Sequence, residues 1–324
     1  MKAQIQSILD ALHQDLFERE TPIRLLLLAA LSKEHSLLIG PPGTAKSLLA
    51  NRLHNAFATD GYFEKLLTKF SVPEEIFGPL SIKALEEDQY SRKIENYLPT
   101  ASIAFLDEIF KANSAILNSL LTLLNERKFD NNGERISTPL ISVVGASNEL
   151  PQDSILGALY DRFLFRAYIG RIGESSFSLL LQNLESDFSP SLQKITPKQL
   201  QVLDAAAQKV IIPEKVMALL CNLRKQLFEW EIYVSDRRWR KIAYMLRVAA
   251  ATNQREEVSL WDCWLLQHCT WNKPEERAQI EQWYNKAVGV KEKKQNTNLL
   301  KYLKALEQKY KDMENQKDVK RNAK

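Results

Sequence analysis

The stretch Gly40-Pro41-Pro42-Gly43-Thr44-Ala45-Lys46-Ser47 constrains this chain more than any other. Before it runs Ser36-Leu37-Leu38-Ile39, an apolar segment with the length of a buried strand, and after it Leu48 to Phe57, which has helical spacing. In the order strand, glycine-bearing turn, Lys-Ser, helix, backbone N–H groups converge on an anion, and the helix N-terminus adds partial positive charge. Lys46 would reach the β- and γ-phosphates of a nucleotide, and Ser47 would offer a hydroxyl to Mg²⁺. Ala45 stands where a second glycine is usual; it fits if its φ is negative, as in the first turn of a right-handed helix. An ordinary Gly/Pro turn before a helix is the competing reading of this stretch taken alone.

Two further apolar runs end in polar residues suited to the same chemistry. Ser102 to Leu106 is continuous and apolar, as befits a central strand of a parallel sheet covered on both faces, and it ends in Asp107-Glu108. Parallel sheets bind ligands at that carboxyl edge. Asp107 is then a candidate to hold Mg²⁺, and Glu108 to polarise a water for attack on the γ-phosphate. An acidic pair at a helix start would be the bland alternative. Leu140 to Ala146 is a second such run and ends in Ser147-Asn148, where an amide can bond both the γ-phosphate and the attacking water.

Around these runs the chain changes character once. Ile5, Ile8, Leu9, Leu12 and Leu16 form one apolar helical stripe, and Thr21-Pro22 reads as the start of a second helix through about Ser32. A strand is expected over Tyr62–Phe70, a β-hairpin inserted into a helix over Leu80–Asn96, a helix over Ala115–Arg127, a turn at Asn131-Asn132-Gly133 and a last strand from near Phe163 to Tyr168. From about Ile172 only helical patterns follow, which places a boundary there. The expected organisation is an α/β nucleotide-binding domain over 1–171, an all-α lid over 172–288 and a basic helical tail over 289–324. In the tail, Leu299, Leu303, Leu306, Tyr310 and Met313 alternate spacings of four and three, the seam of a docked helix.

Charge and cysteine usage narrow the classes. The net charge of +4 is uneven: residues 286–324 carry 12 Lys+Arg against 5 Asp+Glu, so the basic character belongs to the tail. No zinc module or extended basic stripe accompanies it, and nucleic acid is not the expected partner. Cys221, Cys263 and Cys269 fit no paired framework, and His268-Cys269 lacks further ligands at zinc spacing, so buried free thiols are expected. No apolar run approaches the ~20 residues of a membrane span. Met1-Lys2 opens an amphipathic segment rather than a signal peptide, so a cytoplasmic protein is expected.

Taken together, Gly40–Ser47, Phe105-Leu106-Asp107-Glu108 and Ala146-Ser147-Asn148 resemble the Walker A, Walker B and sensor 1 motifs of AAA+ ATPases. The wording of Pro73–Pro79, Leu106–Ala112, Asn118–Arg127, Ala146–Pro151, Leu159–Phe163 and Val234–Trp239 is similar to the MoxR group, in particular its regulatory ATPase variant A (RavA) branch. The resemblance implies an α/β AAA+ core with a parallel sheet and a helix-2 insert, an all-α lid, ATP and Mg²⁺ as ligands, and a ring, commonly a homo-hexamer. Arg162 then matches the arginine finger, with Arg166 as runner-up. Arg237 matches sensor 2, with Arg238 as runner-up. Glu20 to Ile23 falls where the adenine pocket lies. A partner with a von Willebrand factor A domain and a protein substrate are implied too. The expected function is an ATP-hydrolysing ring that remodels or activates proteins; a DNA-associated motor or loader is the alternative. The β-rich extension of fuller RavA-like chains is not in this sequence.

Overall fold

The computed structural model describes residues 1–59, 61–151, 154–182 and 193–290. The expected tail seam, Leu299 to Met313, lies outside the described residues. One compact unit spans Met1–Glu281 and a second Gln282–Lys324.

Helices α1 (Lys2–His13) and α2 (Glu20–Leu31) lead into β1 (His35–Ile39) and α3 (Lys46–Asn55). Then follow β2 (Tyr62–Leu66), the short helices α4 (Glu74–Phe77) and α5 (Ile82–Leu85), β3 (Ile103–Asp107) and α6 (Ser114–Glu126). A hairpin of β4 (Lys128–Asn131) and β5 (Glu134–Ser137) precedes β6 (Ser142–Ser147), α7 (Ser154–Tyr160) and β7 (Phe163–Tyr168). Beyond Tyr168 the described elements are helical: α8 (Glu174–Gln182), α9 (Pro197–Lys209), α10 (Glu214–Glu229), α11 (Asp236–Thr252), a 3-10 helix over Leu260–His268 and α12 (Glu276–Val288). Two of these starts are written in the sequence. Thr196 and Gln199 form a capping box before α9, and Ser235 caps α11.

Five strands form a parallel sheet in the order β2-β3-β6-β1-β7. Every residue of β1 and of β6 is buried, which is why both read as near-continuous apolar runs. The order sets the site: β6 lies between β1 and β3, so the residues following β6 emerge between the phosphate loop and Asp107-Glu108. His35, fully buried in β1, ties the sheet to its neighbours. Its Nδ1 accepts from the Val143 N–H, and its Nε2 lies 3.0 Å from the Leu124 carbonyl. Burial holds its pKa well below the usual value, so it stays neutral, the form that can accept at Nδ1.

The hairpin expected over Leu80–Asn96 shrinks to a single antiparallel bridge, Leu80 with Arg92. Ser81 instead caps the helical turn Ile82–Leu85, and the Arg92 backbone pairs with the Asn131 side chain, N to Oδ1 at 2.7 Å. With these polar groups satisfied by the Ser81 cap and by the distant Asn131 side chain, the arms have no need of a ladder. The antiparallel hairpin is β4–β5, turning at Asn131-Asn132-Gly133.

Candidate nucleotide site

The loop between β1 and α3 begins at a glycine that no other residue could replace. Gly40 donates its N–H to the Ser147 carbonyl, and a Cβ there would stand 2.2 Å from the Ile169 carbonyl oxygen. The loop closes on itself: Thr44 Oγ1 donates to the Pro41 carbonyl at 2.9 Å. Lys46 Nζ folds back to donate to the Gly40 and Pro41 carbonyls at 2.9 and 2.8 Å. Burial lowers its pKa, opposed by the charges of Asp107 and Glu108.

Ala45 overturns the condition set for it. Its φ is +69°, so it sits in the left-handed region rather than in the first helical turn. The backbone must reverse there to aim the α3 N-terminus at the loop, which is the reason glycine is usual. A Cβ in this conformation costs about 1–2 kcal/mol. Ala45→Gly is therefore expected to raise the melting temperature, through a stability gain of up to about 1 kcal/mol once the added flexibility of the unfolded chain is subtracted. A calorimetric scan of the two proteins without nucleotide checks this; a lower melting temperature for the glycine variant would contradict the strain.

A cavity of about 130 Å³ brings together Pro42, Gly43, Thr44, Ala45, Lys46 and Ser47 with Asp107, Glu108 and Asn148. Asp107 Oδ1 accepts the Glu108 N–H at 2.9 Å. Asn148 Nδ2 donates to Glu108 Oε1 at 2.6 Å, and Lys111 lies 3.3 Å from Glu108 Oε2. Both carboxylate oxygens thus have partners, and the Glu108 backbone is itself left-handed, φ 51°. Among the described residues no cluster of three or more His, Cys, Asp or Glu could hold a metal. The Ser47 hydroxyl and Asp107 carboxylate, lining one cavity, are hard oxygen donors of the kind and number that suit Mg²⁺ completed by phosphate oxygens.

The four candidate arginines separate. Arg166 is buried: it donates to Tyr160 and Trp271 carbonyls and to Asn272 Oδ1, with its guanidinium 3.5 Å from the Tyr160 ring centroid. Burial, with Arg238 nearby, lowers its pKa to about 9. Arg238 is equally buried and spends its donors on the carbonyls of Cys269, Phe163 and Leu164 at 2.6, 2.6 and 2.9 Å, with Nη1 3.5 Å from Asp161 Oδ1. Both are structural clamps of the strand β7 and the helices beyond it. Arg237 is exposed and pairs with Asp161, which also accepts from Ser235 Oγ. Arg162 is half-buried; burial and then the charge of Arg237 lower its pKa. Neither Arg162 nor Arg237 lines the phosphate cavity.

The sequence reading missed Arg19. Buried at the start of α2, it donates Nε to the Thr44 carbonyl at 3.4 Å and Nη2 to the Gly170 carbonyl at 2.8 Å, bracing the loop from the side. Its only local signal is its place between two glutamates just before a helix. The thiols of Cys263 and Cys269 are buried and pushed up to about 12; Cys221, expected buried, is exposed.

Residues 3–205 match the family model described as the MoxR domain in the MoxR-vWA-beta-propeller ternary systems, and residues 215–284 match the AAA lid domain. Two uncharacterized proteins of Methanocaldococcus jannaschii are each 40% identical, over 83% and 84% of this chain and 70% and 72% of their own. A MoxR chaperone of Mycobacterium tuberculosis is 28% identical over 45% of this chain and 38% of its own. In fold, the chain is similar to the crystal structure of a candidate ATPase from Cytophaga hutchinsonii, with a TM-score of 0.69 at 18% identity, covering 89% of this chain and 94% of that one.

Proposed function

The chain belongs to the MoxR family of AAA+ ATPases, and from that premise we propose that it hydrolyses ATP with Mg²⁺ in a homo-hexameric ring and uses the turnover to remodel or activate a protein partner. The observation that carries the reading is the one cavity shared by Lys46, Ser47, Asp107, Glu108 and Asn148, which reach it from three different strand ends. On ATP binding Lys46 exchanges two backbone carbonyls for the β- and γ-phosphates. Bound Mg²⁺ supplies charge neutralisation at the phosphates, with Ser47 and Asp107 as its protein ligands. Glu108 takes the proton of the attacking water, and Asn148 holds its carboxylate in register.

Arg162 is the finger and Arg237 the sensor of the lid. That Arg162 lies outside its own chain's phosphate cavity supports its action on the nucleotide of a neighbouring subunit. The matched model's description, from systems that also contain a vWA component, supports a partner with a von Willebrand factor A domain. The motif wording of Leu106–Ala112 and Val234–Trp239 supports a place beside the RavA branch. A cytoplasmic location accords with unpaired thiols, and among the described residues no helix is long and apolar enough to cross a membrane.

The test mixes two inactive variants. Arg162→Ala should leave ATP affinity nearly intact and lower turnover by about 10³-fold or more. Mixed with Lys46→Ala subunits, it should regain activity, because some interfaces then join an intact Lys46 to a neighbour's intact Arg162. Mixed rings verified by light scattering that recover no turnover at any ratio would exclude action in trans. Stimulation of the wild-type ATPase by duplex DNA, lost on deleting 290–324, would favour the DNA-motor reading instead.

A further inference from the structure

The backbone just after β3 stacks Lys111 on Glu108. Glu108 precedes the 3-10 turn Ile109–Lys111, and the Lys111 N–H donates to the Glu108 carbonyl at 2.8 Å. In such a turn side chains three apart eclipse. The Lys111 ammonium is thereby carried over the Glu108 carboxylate, 3.3 Å from Oε2. The turn is anchored on both sides. Ile109 is fully buried, and the Phe110 ring stands edge-on to Tyr160, centroids 5.9 Å apart. Two residues beyond Lys111, Asn113 caps α6 and donates Nδ2 to the Ser71 carbonyl at 2.7 Å. The contact between Lys111 and Glu108 therefore rests on a fixed backbone.

Glu108 borders two cavities. It lines the phosphate cavity and also a second one of about 580 Å³. Asn148, which holds Oε1, lines the first and not the second. Lys111, which holds Oε2, lines the second and not the first. The two oxygens of one carboxylate are thus drawn toward two different spaces, and only one of these holds the phosphate loop. The Glu108 side chain is 12% exposed and that of Lys111 47%, so water screens their attraction only in part. The ammonium is reached from the second cavity, without entry to the phosphate site.

We propose that Lys111 is a positioning residue that restrains the general base: it holds Glu108 Oε2 toward the second cavity, and hydrolysis proceeds when that hold is released and the carboxylate turns wholly to the attacking water. This rests on the ATPase reading above. Lys111 lies outside the phosphate cavity, so it acts through the orientation of Glu108 alone. Asn148 and Lys111 then oppose each other, one drawing the carboxylate toward the phosphates and the other away from them. The ion pair sets the population of the restrained orientation, and turnover follows the fraction released.

The full chain is compared with Lys111→Met and Lys111→Gln, which remove the charge, and with Lys111→Arg, which keeps it, by steady-state hydrolysis of ATP with Mg²⁺. Both uncharged variants should raise kcat about threefold to fivefold, the population that an ion pair open to water on one side holds back. KM for ATP should stay within about twofold of wild type, because no phosphate-binding residue has changed. Lys111→Arg should return kcat most of the way to the wild-type value. In a Glu108→Gln background Lys111→Met should add nothing, since no base is left to release. A lysine that only supports the fold predicts the opposite sign, a lower kcat. A kcat that falls in both uncharged variants, or stays within about 1.5-fold of wild type, overturns the restraint. A gain that persists in the Glu108→Gln background also overturns it. A wild-type chain that hydrolyses no ATP would instead defeat the ATPase reading itself.

Discussion

Lys46→Ala is expected to weaken ATP binding by about 10²-fold or more and to abolish turnover. The ammonium is buried, and removing one partner of a buried charge pair costs about 2–5 kcal/mol. Nothing replaces it: Arg19, the other cation bonded to the loop, already spends its donors on the carbonyls of Thr44, Gly170 and Glu18. The same substitution strips the Gly40 and Pro41 carbonyls of a donor, so the free protein should also lose some stability in the loop. Titration with a fluorescent ATP analogue measures the first effect and a thermal melt the second. ATP affinity within about threefold of wild type would remove Lys46 from the phosphate site.

Glu108→Gln is expected to lower turnover by about 10²–10⁴-fold while ATP still binds. The amide can accept from Asn148 as the carboxylate does, so the side chain stays in place, but it cannot take a proton from water and loses its ion pair with Lys111. The two variants therefore dissociate the two functions of one cavity: Lys46→Ala fails at binding, Glu108→Gln at chemistry. Single-turnover hydrolysis with saturating ATP distinguishes them, and wild-type turnover in the glutamine variant would exclude Glu108 as the base. A chain that holds ATP without hydrolysing it is also suited to capturing the proposed protein partner for identification.

Much of the site was legible before any coordinates. Three apolar runs, each as long as a strand and each followed by its polar pair — Lys46-Ser47 beyond the loop, Asp107-Glu108, Ser147-Asn148 — are local patterns, and burial on both faces of a parallel sheet is what makes such runs continuous. The starts of α9 and α11 at Thr196 and Ser235 rest on equally local patterns, since a cap is a contact between residues three apart. The inserted segment was misread because Leu80–Asn96 has strand-like arms, whereas its polar groups are satisfied by Ser81 and by Asn131, thirty-nine residues from Arg92.

The amino-acid sequence by itself determined which polar residues follow the buried strand ends, because residue type and spacing along one strand end are chemical facts of the chain. Only the tertiary structure decided what those residues meet. The strand order that sets Asn148 against Glu108 is a long-range choice. So is the difference between Arg237 and Arg238, adjacent and chemically identical: both reach Asp161, but one is exposed and the other is 2% exposed, with its remaining donors on backbone carbonyls. The sign of φ at Ala45 belongs to the same class. Burial and hydrogen-bond satisfaction depend on segments brought together from distant parts of the chain, and no local pattern encodes which of them arrive.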